Sequence, residues 1–267
     1  MTSTEFLISA WTPNAAAIGG CAALLLAYAM AVRFRFSARA AAWFGGVLLV
    51  LLALVSPLAV LARQYLFSVH MATHILFVLV VPALLLIGIP ETLAESWLRR
   101  RSFARAQRFF GRPAVAWPAG IGAMALWHIP AVFRAGMDHP LLHMAEPLSL
   151  LLAGTIYWWP ILSPVRQSRL NPVPQAAAYL FTSCLACTTM GVLITFAPAP
   201  LYAQYVHPAD LYGFLPVIRE GWGISAALDQ QIGGLLMWVP GCLIYLTAIM
   251  AMFGRWYAQP ANAAVQA

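Results

Sequence analysis

The chain has 267 residues, 62% of them hydrophobic and only 9% charged, with a formal net charge of +7 at pH 7. Average soluble domains carry roughly 25% charged residues, so this composition excludes a soluble enzyme or binding module and points to an integral membrane protein whose first partner is lipid. The basic charge is all arginine, with no lysine; the arginines flank apolar runs and accompany no recognition motif, which argues against a nucleic-acid partner.

Residues 1–14 hold Glu5 and no basic residue. Lacking the positive n-region of a cleaved signal, the first apolar run is expected to remain as a span. Runs of about 20 apolar residues, enough to cross ~30 Å of hydrocarbon as a helix, occur at residues 15–32, 40–62, 66–89, 113–133, 140–162, 175–197 and 227–253. They predict an all-α, polytopic membrane helix bundle of seven transmembrane helices in a single membrane domain, residues 1–267. Between the third and fourth runs, residues 91–112 place Trp97, Phe103, Phe109 and Phe110 among six arginines, a pattern suited to an amphipathic helix lying at the interface. Pro130 removes a backbone donor near the end of the fourth run, residues 134–139 make a short link, and Pro140 suits the first position of the fifth helix. A longer polar and aromatic loop, residues 198–226, precedes the seventh.

Orientation follows from the arginines. With the N-terminus outside and the C-terminus cytoplasmic, Arg33, Arg35, Arg39, the six of residues 99–112, Arg166, Arg169 and Arg255 face the cytoplasm, and only Arg63, Arg134 and Arg219 face outward. That is the arrangement the positive-inside rule favours.

This topology puts all six histidines on the extracytoplasmic side. His70 and His74 are four residues apart, about 40° apart around a helix and one turn along it, so both rings can reach one point. His128 ends the fourth run and His143 begins the fifth, with Glu146 one turn further on. An ionisable group at that depth is a functional candidate, because burying it uncompensated is costly. Met71, Met124 and Met144 lie beside or within a turn of the histidines, and Asp229, Gln230 and Gln231 open the seventh run at the same end. Imidazole with thioether leans towards copper. Each feature also has a plainer explanation: His139 and His207 suit interfacial hydrogen bonding, methionines pack, and Glu146 can pair with a histidine or with Gln230. Cys21, Cys184, Cys187 and Cys242 all fall within spans, so no extracellular disulfide framework is expected. Cys184 and Cys187 could hold a soft metal, but with Thr182, Ser183, Thr188 and Thr189 around them they suit small-residue helix packing better. The pairs Gly19-Gly20, Gly45-Gly46 and Gly233-Gly234 are expected points of close helix approach.

Four segments in order carry a resemblance: His70-Met71-x-x-His74; Leu126-Trp127-His128-Ile129-Pro130; Leu142-His143-x-x-Glu146 with the following Leu150-Leu151-Leu152-Ala153-Gly154 and Trp158-Trp159-Pro160; and Asp229-Gln230-Gln231-x-x-Gly234-x-x-Met237-Trp238. Over about residues 66–256 the chain resembles the CtaG family of seven-span proteins tied to assembly of caa-type cytochrome c oxidase. The resemblance implies a non-catalytic, chaperone-like factor of the respiratory chain, multi-pass in the bacterial plasma (inner) membrane. It would handle copper and work with cytochrome c oxidase subunits. One departure is Pro147, where family members often have a histidine after the glutamate. On this reading His70, His74 and His128 are copper ligands, with His143 a fourth ligand or a support. Glu146 is an orienting acceptor for a ring N–H, and Met71 or Met144 completes a Cu(I) site. Two rivals use the same residues: three histidines and a carboxylate holding zinc in an intramembrane hydrolase, or histidines on facing helices clasping a b-type haem in an electron carrier.

Overall fold

Helix starts in this chain are written in small oxygen-bearing side chains. Thr2, Asn14, Ser37 and Ser225 each accept the backbone N–H three residues on, and Thr2 and Glu5 complete a reciprocal box. These contacts satisfy amides that a first helical turn leaves bare. The computed structural model describes residues 2–258, and no strand occurs among the described residues.

In chain order the helices are α1 (Ser3–Ser9), α2 (Ala15–Ala31), α3 (Ala38–Val55), α4 (Pro57–Val60), α5 (Phe67–Ile75), α6 (Val81–Gly88), α7 (Glu91–Leu98), α8 (Arg101–Phe110), α9 (Pro113–Trp127), α10 (Pro130–Asp138), α11 (Pro140–Leu162), α12 (Val173–Thr195) and α13 (Ala226–Tyr257). By length and apolarity, α3, the continuous path Phe67–Gly88, α12 and α13 can each cross a membrane, and the bent pair α9–α10 raises the number to five. The apolar α2 has 17 residues, and α11 reaches 23 but is made less hydropathic by His143, Glu146 and its internal prolines.

Prolines set most departures from the expected spans. The second run was expected to continue to residue 62, but α3 stops at Val55; Ser56 then caps α4 with Pro57 in its first turn, and a π-helical turn, Leu61–Tyr65, follows. The fourth was expected unbroken over 113–133 with a link to 139. Instead α9 ends at Trp127, and α10 starts at Pro130 at an angle of 73° to it, where the missing N–H interrupts the helical ladder and suits a first helical position. The interfacial segment 91–112 divides into α7 and α8.

A third proline shapes the path that carries His70 and His74. Pro82 has no N–H, and its ring crowds the carbonyl four residues back; the preceding turn, Leu76–Val80, widens to a π-helix. The Val78 carbonyl is then met by Gly154 of α11, where an added Cβ would lie 2.5 Å from Val78 O and 2.8 Å from Pro82 Cγ. Only glycine permits that approach. Gly154→Val should therefore cost about 1–3 kcal/mol through overpacking, read as a lowered melting temperature of the detergent-solubilised protein, with Leu152→Val on the exposed face as the control.

α12 and α13 form the most extensive helix pair, α13 also packs on α5, and α11 joins α6 to α9. α2 and α3 lie outside this group, α3 against α6. Of the glycine pairs, Gly233 and Gly234 are points of close approach and Gly46 meets Leu84 and Leu85 of α6, whereas Gly19, Gly20 and Gly45 have open space beside them. A smaller cluster holds α1 to the long loop: Phe6 stacks on Phe214 with ring centroids 4.2 Å apart, and Tyr65 Oη donates to Asp210 Oδ1 at 2.8 Å. Burial, with the Asp210 carboxylate adding to it, pushes the Tyr65 phenol up to about 12, so this donor keeps its proton at neutral pH.

Candidate functional site

Helix periodicity brings His70 and His74 to one side of α5, and the packing of α11 on this path brings Glu146 between them. Glu146 Oε1 lies 2.9 Å from His70 Nε2 and 2.7 Å from His74 Nε2, and the two Nε2 atoms are 3.0 Å apart. All three side chains are buried, His74 to 1% exposure. Three potential ligand atoms thus form a tight triangle, two imidazole nitrogens and one carboxylate oxygen, a donor set that suits divalent transition metals. His74 Nδ1 is buried with no hydrogen-bond partner among the described residues.

His128 adds a second pair of donor atoms beside this triangle. Its Nδ1 lies 2.7 Å from the Met124 carbonyl, one of those left without a helical amide partner where α9 ends. A neutral ring that donates there through Nδ1–H carries its lone pair on Nε2, and that atom faces Met71 Sδ at 3.2 Å. Nitrogen and thioether sulfur then face each other as two electron-pair donors with no proton between them, an arrangement that a soft cation relieves. The His74 and His128 ring centroids are 5.1 Å apart, so triangle and pair adjoin.

Three features hold this centre in place. α5 has no N-cap side chain of its own; the carboxylate of Asp229, from α13, accepts instead from Phe67 N at 2.7 Å, Ser68 N at 3.0 Å and Ser68 Oγ at 2.6 Å. Asp229 is fully buried, and as an anion at a helix start it also opposes the positive end of the dipole. One turn further along α13, Gly233 leaves the space that Phe67 and Met71 occupy. Aromatic rings cover the histidines: Phe133 packs on His70 at 4.8 Å between centroids, and Phe67 stacks on Tyr202 at 4.3 Å. The loop supplying Tyr202 is itself tied down. Tyr202 Oη donates to the His128 carbonyl, Tyr205 Oη to that of Ala62, and Arg219 to those of Ile224 and Tyr205. Gln230 accepts from Leu201 N and donates to the Ile194 carbonyl.

Among the residues singled out from sequence, His70, His74, Glu146, His128 and Met71 meet. The others do not join them. Met144 is 53% exposed; His143 is half-buried with Nδ1 unpartnered among the described residues; His139, His207 and Gln231 are exposed. Glu146 pairs with the histidines, and its contact is to the Nε2 atoms that face the centre. Asp229 was placed by sequence at the right end of the bundle, but its role as a cap for α5 was not legible there.

The sequence matches the family described as cytochrome c oxidase caa3 assembly factor over residues 20–259. An uncharacterized protein of Mycobacterium leprae is 25% identical over 215 residues, covering 75% of this chain and 31% of that relative. Uncharacterized proteins of Mycobacterium bovis and Mycobacterium tuberculosis are each 24% identical, covering 72% of this chain and 30% of theirs. The chain spans about a third of the length of these curated relatives. No solved structure matches. With nearly its whole length matched, the chain belongs to the caa3 cytochrome c oxidase assembly factor family.

Proposed function

We propose that this member of the family supports maturation of cytochrome c oxidase by holding a copper ion in transit at the buried centre of His70, His74, Glu146, His128 and Met71. The observation that carries the reading is the facing of the His128 and Met71 donor atoms beside a triangle of two imidazoles and a carboxylate. The triangle suits Cu(II) as well as zinc, whereas the thioether selects Cu(I). Because Glu146 touches the ring atoms that would bind the metal, its proposed role is that of a ligand, displacing the orienting role inferred from spacing. The protein would act without catalysis, passing its cargo to an oxidase subunit.

The same proposal places the chain in the bacterial plasma membrane with seven spans, N-terminus outside. Its spans are α2, α3, the Phe67–Gly88 path, α9 with α10, α11, α12 and α13. The arginine distribution supports that orientation, and it puts the centre near the outer surface. A haem clasped between histidines on facing helices is disfavoured by geometry. The His74 and His128 ring centroids are only 5.1 Å apart, and the His70 and His74 nitrogens converge on one carboxylate oxygen of α11, leaving no gap for a macrocycle.

The test is a competition titration of the purified protein against a chromophoric Cu(I) chelator, with zinc in parallel. Wild type is expected to withdraw copper from the chelator, and the His70→Ala/His74→Ala protein to leave it in place. Equal copper retention by both, or zinc held in preference by wild type, would sink the copper reading.

A further inference from the structure

The cysteines occupy a part of the fold that the histidine centre does not use. α12 and α13 run antiparallel, with Gly191 opposite Gly234 and Cys184 opposite Cys242. A Cβ on Gly191 would lie 2.8 Å from the Gly234 carbonyl oxygen, so the bare glycines let the helices close together. One consequence lies two turns away, where the Cys184 and Cys242 sulfurs face each other within 2.6 Å. Thr188 Oγ1 stands 3.1 Å from Cys242 Sγ. Cys187 turns instead to Tyr245 Oη at 3.8 Å.

Surroundings decide which reagent could reach the pair. Cys184 sits at the middle of the 23-residue α12, deep in the apolar layer on the seven-span reading. Cys242 is half-buried, and its neighbours Leu243 and Leu246 are 60% and 45% exposed, as are Phe181 and Leu185 beside Cys184 at 51% each. The sulfurs therefore lie beside an apolar outer face, open to lipid-soluble molecules and closed to water-soluble ones.

We propose that Cys184 and Cys242 are a redox-active pair that forms a reversible disulfide between α12 and α13, with a membrane quinone as oxidant. Two S–H bonds break and one S–S bond forms. The two electrons and two protons pass to the quinone, which leaves as the quinol. The bond would tie α12 to the helix that carries Asp229 and Gln230, so the redox state of the membrane would set how firmly the support of the histidine helix is held.

The experiment uses the whole protein in lipid nanodiscs, reduced and then exposed to a short-tailed ubiquinone analogue, acid-quenched, unfolded in SDS so that the buried thiols are reachable, alkylated with maleimide and read by intact mass and peptide mapping. The expected result is loss of two mass units before alkylation, two maleimides added in place of the four that the reduced protein accepts on its free cysteines, and a cross-linked peptide joining residues 184 and 242. Cys184→Ser and Cys242→Ser should each abolish the change, while Cys187→Ser and Cys21→Ser retain it. Four maleimides after quinone exposure, or a linkage through Cys187, would overturn the proposal.

Discussion

Glu146→Gln is expected to lower copper affinity by about 10–100-fold or more while leaving the fold close to wild type, and Glu146→Ala to lose both affinity and stability. The carboxylate oxygen is the one atom that both ring nitrogens reach, at 2.9 and 2.7 Å. The amide is nearly isosteric and can still accept from one ring, so the buried polar groups stay largely satisfied, but the negative charge that favours a cation is gone. Changing a group that only supports a metal ligand typically costs affinity on that 10–100-fold scale, which sets the least to be expected for a charged ligand. Alanine removes the acceptor outright, and each buried ring nitrogen left without a partner costs about 1–3 kcal/mol. Chelator competition and thermal unfolding, run on the two variants together, separate the effects. Unchanged affinity in Glu146→Gln would remove the carboxylate from the metal site.

Asp229→Ala should be the most destabilising single exchange outside the histidines. Its carboxylate is fully buried and receives three hydrogen bonds at the start of α5. Removing it strands two amides and a hydroxyl, for a loss on the order of 3–5 kcal/mol by the cost of unmade buried hydrogen bonds. The N-terminus of α5 should then fray, which moves His70, three residues from the Phe67 amide, and weakens copper binding as a secondary effect. Amide hydrogen exchange reports this directly: residues 67–70 should lose protection in Asp229→Ala, and Ser68→Ala should lose less because it removes one bond of the three. Wild-type exchange at those amides in Asp229→Ala would show that the cap does not hold the helix.

What the sequence revealed of this site was set by the range of the interaction. The pairing of His70 with His74 is a property of five consecutive residues in a helix, and spacing alone predicts it. Glu146 stands out because a carboxylate within an apolar run demands a reason. Which thioether meets a ring was beyond reach: Met71 and Met144 each neighbour a histidine in sequence, yet Met71 finds His128 on another helix while Met144 turns outward. The break at Pro130 was visible as a missing donor, but not that it would end α9 at Trp127 and begin a helix at 73° to it. The sulfur that faces Cys184 belongs to Cys242, 58 residues away, a contact that local spacing does not reveal. The span at α11 was read closely, with Pro140 at its first position, whereas the ends of α3 and α9 were missed, where Ser56-Pro57 and Pro130 start new helices.

The Asp229 contact also has a consequence for biogenesis. The amides of Phe67 and Ser68 wait for a side chain 162 and 161 positions downstream, so during synthesis the histidine-bearing segment enters the bilayer with its leading turn unsecured. The centre can take its final shape only after the Asp229 segment has emerged from the ribosome and packed against the start of α5.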